Sequence, residues 1–390
     1  MAISRFLTTS TTTLLTFVAS VCIVSAPIFT PATHTVSKYK VNIAARADEA
    51  ECNRWVDSVY KSLSPRQRVA QLFFPKVVPT RGDVSRASLR SLVKDNEVGG
   101  LIFTEGFIDQ YADMTNYAQA QARVPLLMTF DGEWGLRMRI PKTPRFPHNM
   151  ALGAIHNGET LMYEYGREMA RECQIMGIHV NFAPVADVNS NPNNPVISYR
   201  SFGEDPQKVA ALVCAYSRGL EDGGVQAVAK HFPGHGDTNS DSHKTLPTLT
   251  RTKHQMEQVE LVPFRRFIAE GHSGIMTAHL AATAYDKSGT PASLSRKITT
   301  GLLRDALGFD GLVYTDALGM KGATEAVANP CVAALRAGAD VLLCPANTAK
   351  DIDAVMAAIA SGNISAKEVE THCRRVLRYK YYLGLANYLQ

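Results

Sequence analysis

Eight short, nearly unbroken apolar runs, separated by helix-length amphipathic stretches, constrain this chain more than any other feature. They lie at residues 71–77, 100–104, 126–131, 180–187, 227–231, 274–279, 311–316 and 340–345. A strand with one wet face must alternate apolar and polar residues, whereas a strand buried on both faces need not. Runs of this kind therefore read as parallel strands covered by helices. The segments between them fit that reading. Residues 109–121 carry Tyr111, Met114, Tyr117 and Ala118 at the spacing of one helix face, and 366–382 carries Val369, Cys373, Val376, Leu377 and Tyr381 in the same way.

Eight such runs alternating with helices predict an α/β fold, a TIM-type (β/α)8 barrel forming a single catalytic domain over residues 51–390, with a doubly wound open sheet as the runner-up. The polar residues favour the barrel. Asp131, Asp187, Lys230 with His231, His279 and Asp316 each fall at the carboxyl end of a different run. In a barrel those ends converge on one face, where active sites are built. Singly, each would more often be a strand-end cap; five together are hard to explain by capping. No internal repeat and no long Pro/Gly/Ser linker divides the chain.

The amino-terminal segment reads differently. Before Asp48 there is no acidic residue but four basic ones, Arg5, Lys38, Lys40 and Arg46. They account for most of the formal net charge of +5, since 37 basic and 36 acidic side chains remain from Asp48 onward. A nearly neutral body gives no electrostatic footing for nucleic-acid binding. Arg5 precedes an uncharged stretch at 6–37 whose apolar part, 14–24, has the length of a signal-peptide core and is short for a membrane span. Residues 1–26 are expected to be a signal peptide and 27–50 an amino-terminal extension, placing the chain in the periplasm or outside the cell without stable membrane insertion. Without Cys22, six cysteines remain (Cys52, Cys173, Cys214, Cys331, Cys344 and Cys373), which permit disulfides in 15 pairings. There is no CxxC pair to suggest structural zinc, and Cys214 sits in an apolar helical pattern as a small buried side chain would.

The densest chemistry lies at 230–243, Lys-His-Phe-Pro-Gly-His-Gly-Asp-Thr-Asn-Ser-Asp-Ser-His. It starts at a strand end and continues into a loop whose Pro and Gly residues exclude a helix. In an extended Asp-Ser-His segment, Asp241 and His243 share a side. A carboxylate beside an imidazole fixes its tautomer and supports its charged form, as proton transfer near neutral pH requires. Asp316 closes a second buried run, where an ionised carboxylate must be paired or employed, for example as a nucleophile.

These segments resemble glycoside hydrolase family 3 β-N-acetylglucosaminidases. The signature is the run from Lys230 to Thr238 followed by Asp241-Ser242-His243. The segment Thr315-Asp316-Ala317-Leu318-Gly319-Met320 is similar to the family's nucleophile segment, and 131–135 and 199–206 also fall where that family has motifs. The resemblance implies an exo-acting, retaining β-N-acetylhexosaminidase that removes terminal β-linked N-acetylglucosamine, with peptidoglycan fragments as the substrate class and no cofactor or metal. Asp316 would attack the anomeric carbon; His243, oriented by Asp241, would protonate the leaving oxygen and then activate water, in place of the usual second carboxylate. Asp131, Arg139, Arg200, Lys230 and His231 would line the sugar subsite. For the arginines, a surface position for Arg139 and pairing of Arg200 with Glu204 or Asp205 are the competing readings. Trp134 stands where many relatives have Gly, which bears on the outer pocket.

Three alternatives follow from the same residues. A neutral imidazole repels an anion less than a carboxylate would, leaving room for phosphorolysis. His231, His235, Asp237, Asp241 and His243 could instead ligate a metal in a hydrolase of another class. A sugar-binding protein that does no chemistry would keep the pocket alone.

Overall fold

The computed structural model describes residues 42–79, 83–240 and 246–389. The chain divides into two units, Met1–Lys38 and Tyr39–Gln390, and all described residues belong to the second. The expected signal peptide lies outside the described residues. Packing begins earlier than the expected boundary at 51: Ile43 is buried in the core, and the first α-helix, Glu49–Ser62, starts where the Asp48 side chain accepts from the Ala50 and Glu51 amides.

The strands are β1 (Phe73–Phe74), β2 (Lys76–Val77), β3 (Gly100–Phe103), β4 (Leu127–Phe130), β5 (Val180–Asn181), β6 (Gln226–Phe232), β7 (Thr248–Leu249), β8 (Gly274–Thr277), β9 (Ala281–Ala282), β10 (Leu312–Thr315) and β11 (Leu342–Leu343). Each of the eight apolar runs contains strand. The first is split by Pro75, which has no amide to give to a ladder. Seven strands form one curled parallel sheet in the order β10-β8-β6-β5-β4-β3-β2, and β1 pairs in parallel with β11. The two ladders touch at both sides. Thr315 N donates to Val341 O (3.0 Å) between β10 and the residue before β11, and the Gly99 and Ile102 amides donate to Phe73 O (3.3 Å) and Pro75 O (3.1 Å).

The burial of whole strands explains the lack of alternation: β3, β4, β6, β8 and β10 are buried at every position. Tyr314, Phe74 and Phe182 meet edge to face between strands, with ring centroids 6.5 and 5.3 Å apart. Helix Pro206–Asp222 starts at a capping Asp205 followed by Pro206, and packs against Glu159–Ile175, Leu261–Ala269 and β6. The closing helix, Ala366–Tyr382, opens with a reciprocal Ser365–Glu368 capping box and buries Val369, Cys373, Val376 and Leu377 of the face read from the sequence, while Tyr381 is half-buried against the core. Two short strands, β7 and β9, form a parallel ladder that the sequence pattern did not announce. Among the described residues, all six cysteines are free, and no helix is long and apolar enough to cross a membrane.

Because the main-sheet strands are parallel, their carboxyl ends lie along one edge, and the residues that follow them are brought together there.

Candidate active site

Asp131 follows β4 and Lys230 lies near the end of β6. Lys230 Nζ donates to Asp131 Oδ1 at 2.5 Å, and Arg139 holds Asp131 Oδ2, also at 2.5 Å. Arg139 is therefore committed to the pocket and is not a free surface charge. Between them sits Glu133, whose side chain is fully buried. It accepts from Arg200 Nε (2.8 Å) and NH2 (2.6 Å), and Lys230 Nζ lies 2.8 Å from its Oε1. Arg200 thus pairs with Glu133, not with Glu204 or Asp205. Burial alone would raise the Glu133 carboxyl, but the Arg200 and Lys230 cations outweigh it and hold the group well below the usual carboxylate range. The same balance, with Lys230 foremost among the opposing charges, keeps Asp131 low. Two carboxylates and three cations form one network, in which acceptors and donors stand side by side for a polyhydroxylated ligand.

Neighbouring elements aim this network. Asn181 in β5 grips the Gly132 peptide from both sides, accepting from its amide (3.0 Å) and donating to its carbonyl (3.2 Å). Gly132 lies between Asp131 and Glu133, so the clamp fixes both carboxylates. Asn149 Nδ2 donates to Arg200 O at 2.7 Å.

Asp187 is fully buried and accepts from the His231 amide (3.1 and 3.2 Å) and the His235 amide (2.6 Å), while His231 Nδ1 lies 2.7 Å from its Oδ2. A carboxylate can only accept here, so Nδ1 of His231 carries a proton, while Nε2 lies 3.5 Å from the Arg200 guanidinium. Asp187 stays ionised because the His231 contacts and the His235 amide overcome the cost of burial. The sequence marked Asp187 as a strand-end group; its task in the structure is to orient His231 and anchor the start of the 233–240 loop.

That loop is held closely. Gly236 passes against the Val188 carbonyl, where an added Cβ would lie 1.7 Å from the oxygen, so no side chain fits. Asn194 donates to His235 O (2.8 Å), and Asn191 to Asn239 Oδ1 (2.7 Å). Arg251, beyond the loop, pairs with Asp237 at 2.8 Å and Glu260 at 3.1 Å. Asp241 and His243 lie outside the described residues.

Asp316 follows β10 and is partly accessible. Its Oδ1 accepts from the Ala317 amide at 2.7 Å. Burial pushes its carboxyl upward, but the His279 and His231 imidazoles, the Ala317 amide and Lys230 together bring it below the ordinary value, so it is ionised at neutral pH. His279 fixes the turn beyond it: Nε2 donates to Ala317 O (2.9 Å), and Nδ1 lies 2.7 Å from Ser293 Oγ. Cys344 lies near Asp316 and Asp131, and burial pushes its thiol up to about 12, so it is a neutral wall at working pH.

Of the five residues read as possible metal ligands, the three among the described residues have other partners: His231 with Asp187, His235 Nδ1 with Thr238 Oγ1 (2.7 Å), and Asp237 with Arg251. Beside the pocket residues in sequence, Trp134, His148 and Tyr199 stack together, with centroids 4.7 Å (Trp134–His148), 6.0 Å (Trp134–Tyr199) and 4.6 Å (His148–Tyr199) apart.

Comparison with known proteins agrees with this architecture. Beta-hexosaminidase from Chromobacterium violaceum is 36% identical over 298 residues, 73% of this chain and 82% of that protein. Beta-hexosaminidase A from Pseudoalteromonas piscicida is 38% identical over 283 residues, 66% of this chain; the chain spans about half, 47%, of that relative's length. Among solved structures, a glycoside hydrolase family 3 beta-N-acetylglucosaminidase from Paenibacillus sp. superposes with a TM-score of 0.78 at 37% identity, covering 83% of this chain and 63% of that one. A family model described as the glycosyl hydrolase family 3 N terminal domain matches residues 65–379. That match runs from the capped helix at Pro65 into the closing helix and takes in every strand of the sheet, so the chain belongs to glycosyl hydrolase family 3.

Proposed function

We propose that the chain is an exo-acting, retaining β-N-acetylhexosaminidase that releases terminal β-linked N-acetylglucosamine, with peptidoglycan fragments as its natural substrate class. The observation that carries this reading is an ionised, partly accessible Asp316 on the same strand-end edge as the Asp131–Lys230–Glu133–Arg200 network, in which Lys230 and Glu133 are buried. The names of the relatives, beta-hexosaminidase and beta-N-acetylglucosaminidase, support the sugar.

In this mechanism the carboxylate and cation network receives the non-reducing sugar, trading part of its internal hydrogen bonding for bonds to ring hydroxyls. Asp316 attacks the anomeric carbon as the glycosidic bond breaks and forms a glycosyl ester. His243, oriented by Asp241, gives a proton to the leaving oxygen, then takes one from the water that opens the ester; this pair of roles comes from the family resemblance. The low position of Asp316 suits a group that must be ionised to attack.

Two further readings belong here. The hydrogen bonds joining β1 and β11 to the main sheet at both sides support closure into a (β/α)8 barrel. The leader's order of Arg5, apolar core and small residues at 24–26 supports export, which would bring the enzyme to cell-wall material.

The test is hydrolysis of aryl N-acetyl-β-glucosaminide against aryl β-glucoside by wild type and Asp316→Asn. The proposal expects wild type to turn over the first in strong preference and the variant to be silent. Failure of wild type on the first substrate, or full activity in the variant, overturns it. Running the assay in phosphate and finding sugar 1-phosphate as the main product would replace hydrolysis by phosphorolysis.

A further inference from the structure

Away from the strand-end edge, Cys214, Glu270 and His272 bring one ligand atom each to within 4.8 Å of one another. Cys214 comes from helix Pro206–Asp222, Glu270 caps helix Leu261–Ala269, and His272 leads into the amino end of β8, opposite the edge that bears Asp316. We propose that these three side chains form a binding site for a transition-metal dication of the zinc type.

The imidazole is the best argument. The Glu221 carboxylate faces His272 Nδ1 at 2.8 Å and also accepts from the Ser273 amide (3.0 Å) and Ser273 Oγ (2.5 Å). It can only accept, so Nδ1 carries a hydrogen, and Nε2 is the ring atom left to face Cys214 and Glu270. The ring cannot turn away, because Phe267 lies against it with centroids 4.8 Å apart. His272 is 2% exposed, and its Nε2 has no hydrogen-bond partner among the described residues. A buried ring nitrogen without a partner is uncommon in folded proteins and asks for a ligand. A carboxylate behind one ring nitrogen, with the other left bare, is how metal-binding histidines are oriented.

The bare nitrogen points toward the other two donors. His272 Nε2 lies 3.9 Å from Glu270 Oε2. Around a tetrahedral zinc with bonds of about 2.0–2.3 Å, ligand atoms stand roughly 3.3–3.8 Å apart. The observed spacing needs side-chain shifts of about an ångström or less. Cys214 hydrogen-bonds to Glu270, and because a carboxylate can only accept, the sulfur carries a proton in that contact. Metal binding replaces that proton, forming a metal–sulfur bond and releasing one H⁺ with no change of oxidation state.

Arg218 and Arg266 hold Glu270 at 2.5 and 2.8 Å on separate oxygens. Each carboxylate oxygen has a second lone pair, so one metal bond leaves both arginine contacts possible; the anions of Cys214, Glu270 and Glu221 then face the dication and the two arginines, with one positive charge in excess. The donor set of sulfur, nitrogen and oxygen favours zinc or cobalt over calcium or magnesium. The sequence offered no CxxC pair because these ligands come from three separate segments. The bound ion would tie two helices to the start of β8.

The experiment titrates the full chain with Co²⁺ and reads the thiolate-to-cobalt charge-transfer band, then displaces cobalt with Zn²⁺ while counting released protons. The expected result is one equivalent bound, about one proton released, a band lost in Cys214→Ala and in His272→Gln, and a band unchanged in Cys344→Ala. In the wild-type chain, X-ray absorption of the zinc form should find one sulfur ligand, which keeps the test independent of variant folding. Absence of the band at one equivalent, a band that survives in Cys214→Ala, or zinc with no sulfur or more than one would each overturn the site.

Discussion

Replacing Glu133 by Gln tests the charge network where it is most concentrated. The variant keeps the shape of the side chain but removes the negative charge that receives two hydrogen bonds from Arg200 and the Lys230 cation at 2.8 Å. With Glu133 present, the network of Asp131, Glu133, Arg139, Arg200 and Lys230 carries one excess positive charge; the substitution raises that to two in a site whose central members are buried. Breaking a buried pair from one side typically costs about 3–5 kcal/mol, because the partner is left desolvated and uncompensated. Urea unfolding at pH 7 should show a loss in that range with an unchanged slope. The pH dependence supplies a second reading. A carboxyl held below its unfolded value of about 4.3 adds stability that is present above that pH and is lost as pH falls through the folded value. The gap between wild type and variant should therefore be full at pH 7, and shrink progressively below about pH 5. In a double-mutant cycle with Arg200→Met, the coupling should reach about 2–3 kcal/mol. A single-variant loss under about 1 kcal/mol, together with an additive cycle, would refute the view that Glu133 organises the pocket.

Other expected outcomes test separate parts of the molecule. Burial pushes the Glu172 carboxyl up to about 7, and neither of its oxygens has a hydrogen-bond partner among the described residues. A raised carboxyl adds stability fully present below the unfolded value and lost as pH rises through the folded one, so Glu172→Gln should gain roughly 1–3 kcal/mol over wild type at pH 8 and nothing at pH 4; an equal effect at both would contradict that assignment. Gly236→Ala drives a methyl into the Val188 carbonyl, and should cost about 1–3 kcal/mol in thermal or urea unfolding while lowering kcat through displacement of the loop. Wild-type kcat in that variant would show that the loop tolerates movement.

Much of the fold was legible because of where its strands lie. A strand buried on both faces writes itself as an apolar run, and all eight runs contain strand. The bounds were less legible: Pro75 divides the first run, and β5 stops at Asn181 although its apolar pattern continues. The ladder of β7 with β9 is two residues long on each side, too short to leave a pattern. At the site, Asp131, Lys230, His231 and Asp316 were visible as polar residues ending apolar runs. Glu133 was not, since it lies three residues past a strand end and its role depends on Arg200, 67 positions away. The local reading of Arg200 with Glu204 or Asp205 failed for the same reason. Asn181 was hidden inside a strand, where its clamp on Gly132 becomes apparent only once β4 and β5 lie side by side. Cys214 looked like a small core residue because its neighbours Glu270 and His272 arrive from elsewhere in the chain.

The central claim is that Asp316 forms a covalent bond to the sugar. It is tested most directly by incubating the enzyme with an activated fluorosugar analogue of N-acetylglucosamine and locating the added mass by peptide mapping. The mechanism predicts one glycosyl adduct per chain on Asp316, absent in Asp316→Asn. Turnover of an aryl N-acetylglucosaminide with no adduct at Asp316, or with the adduct on another residue, would contradict it.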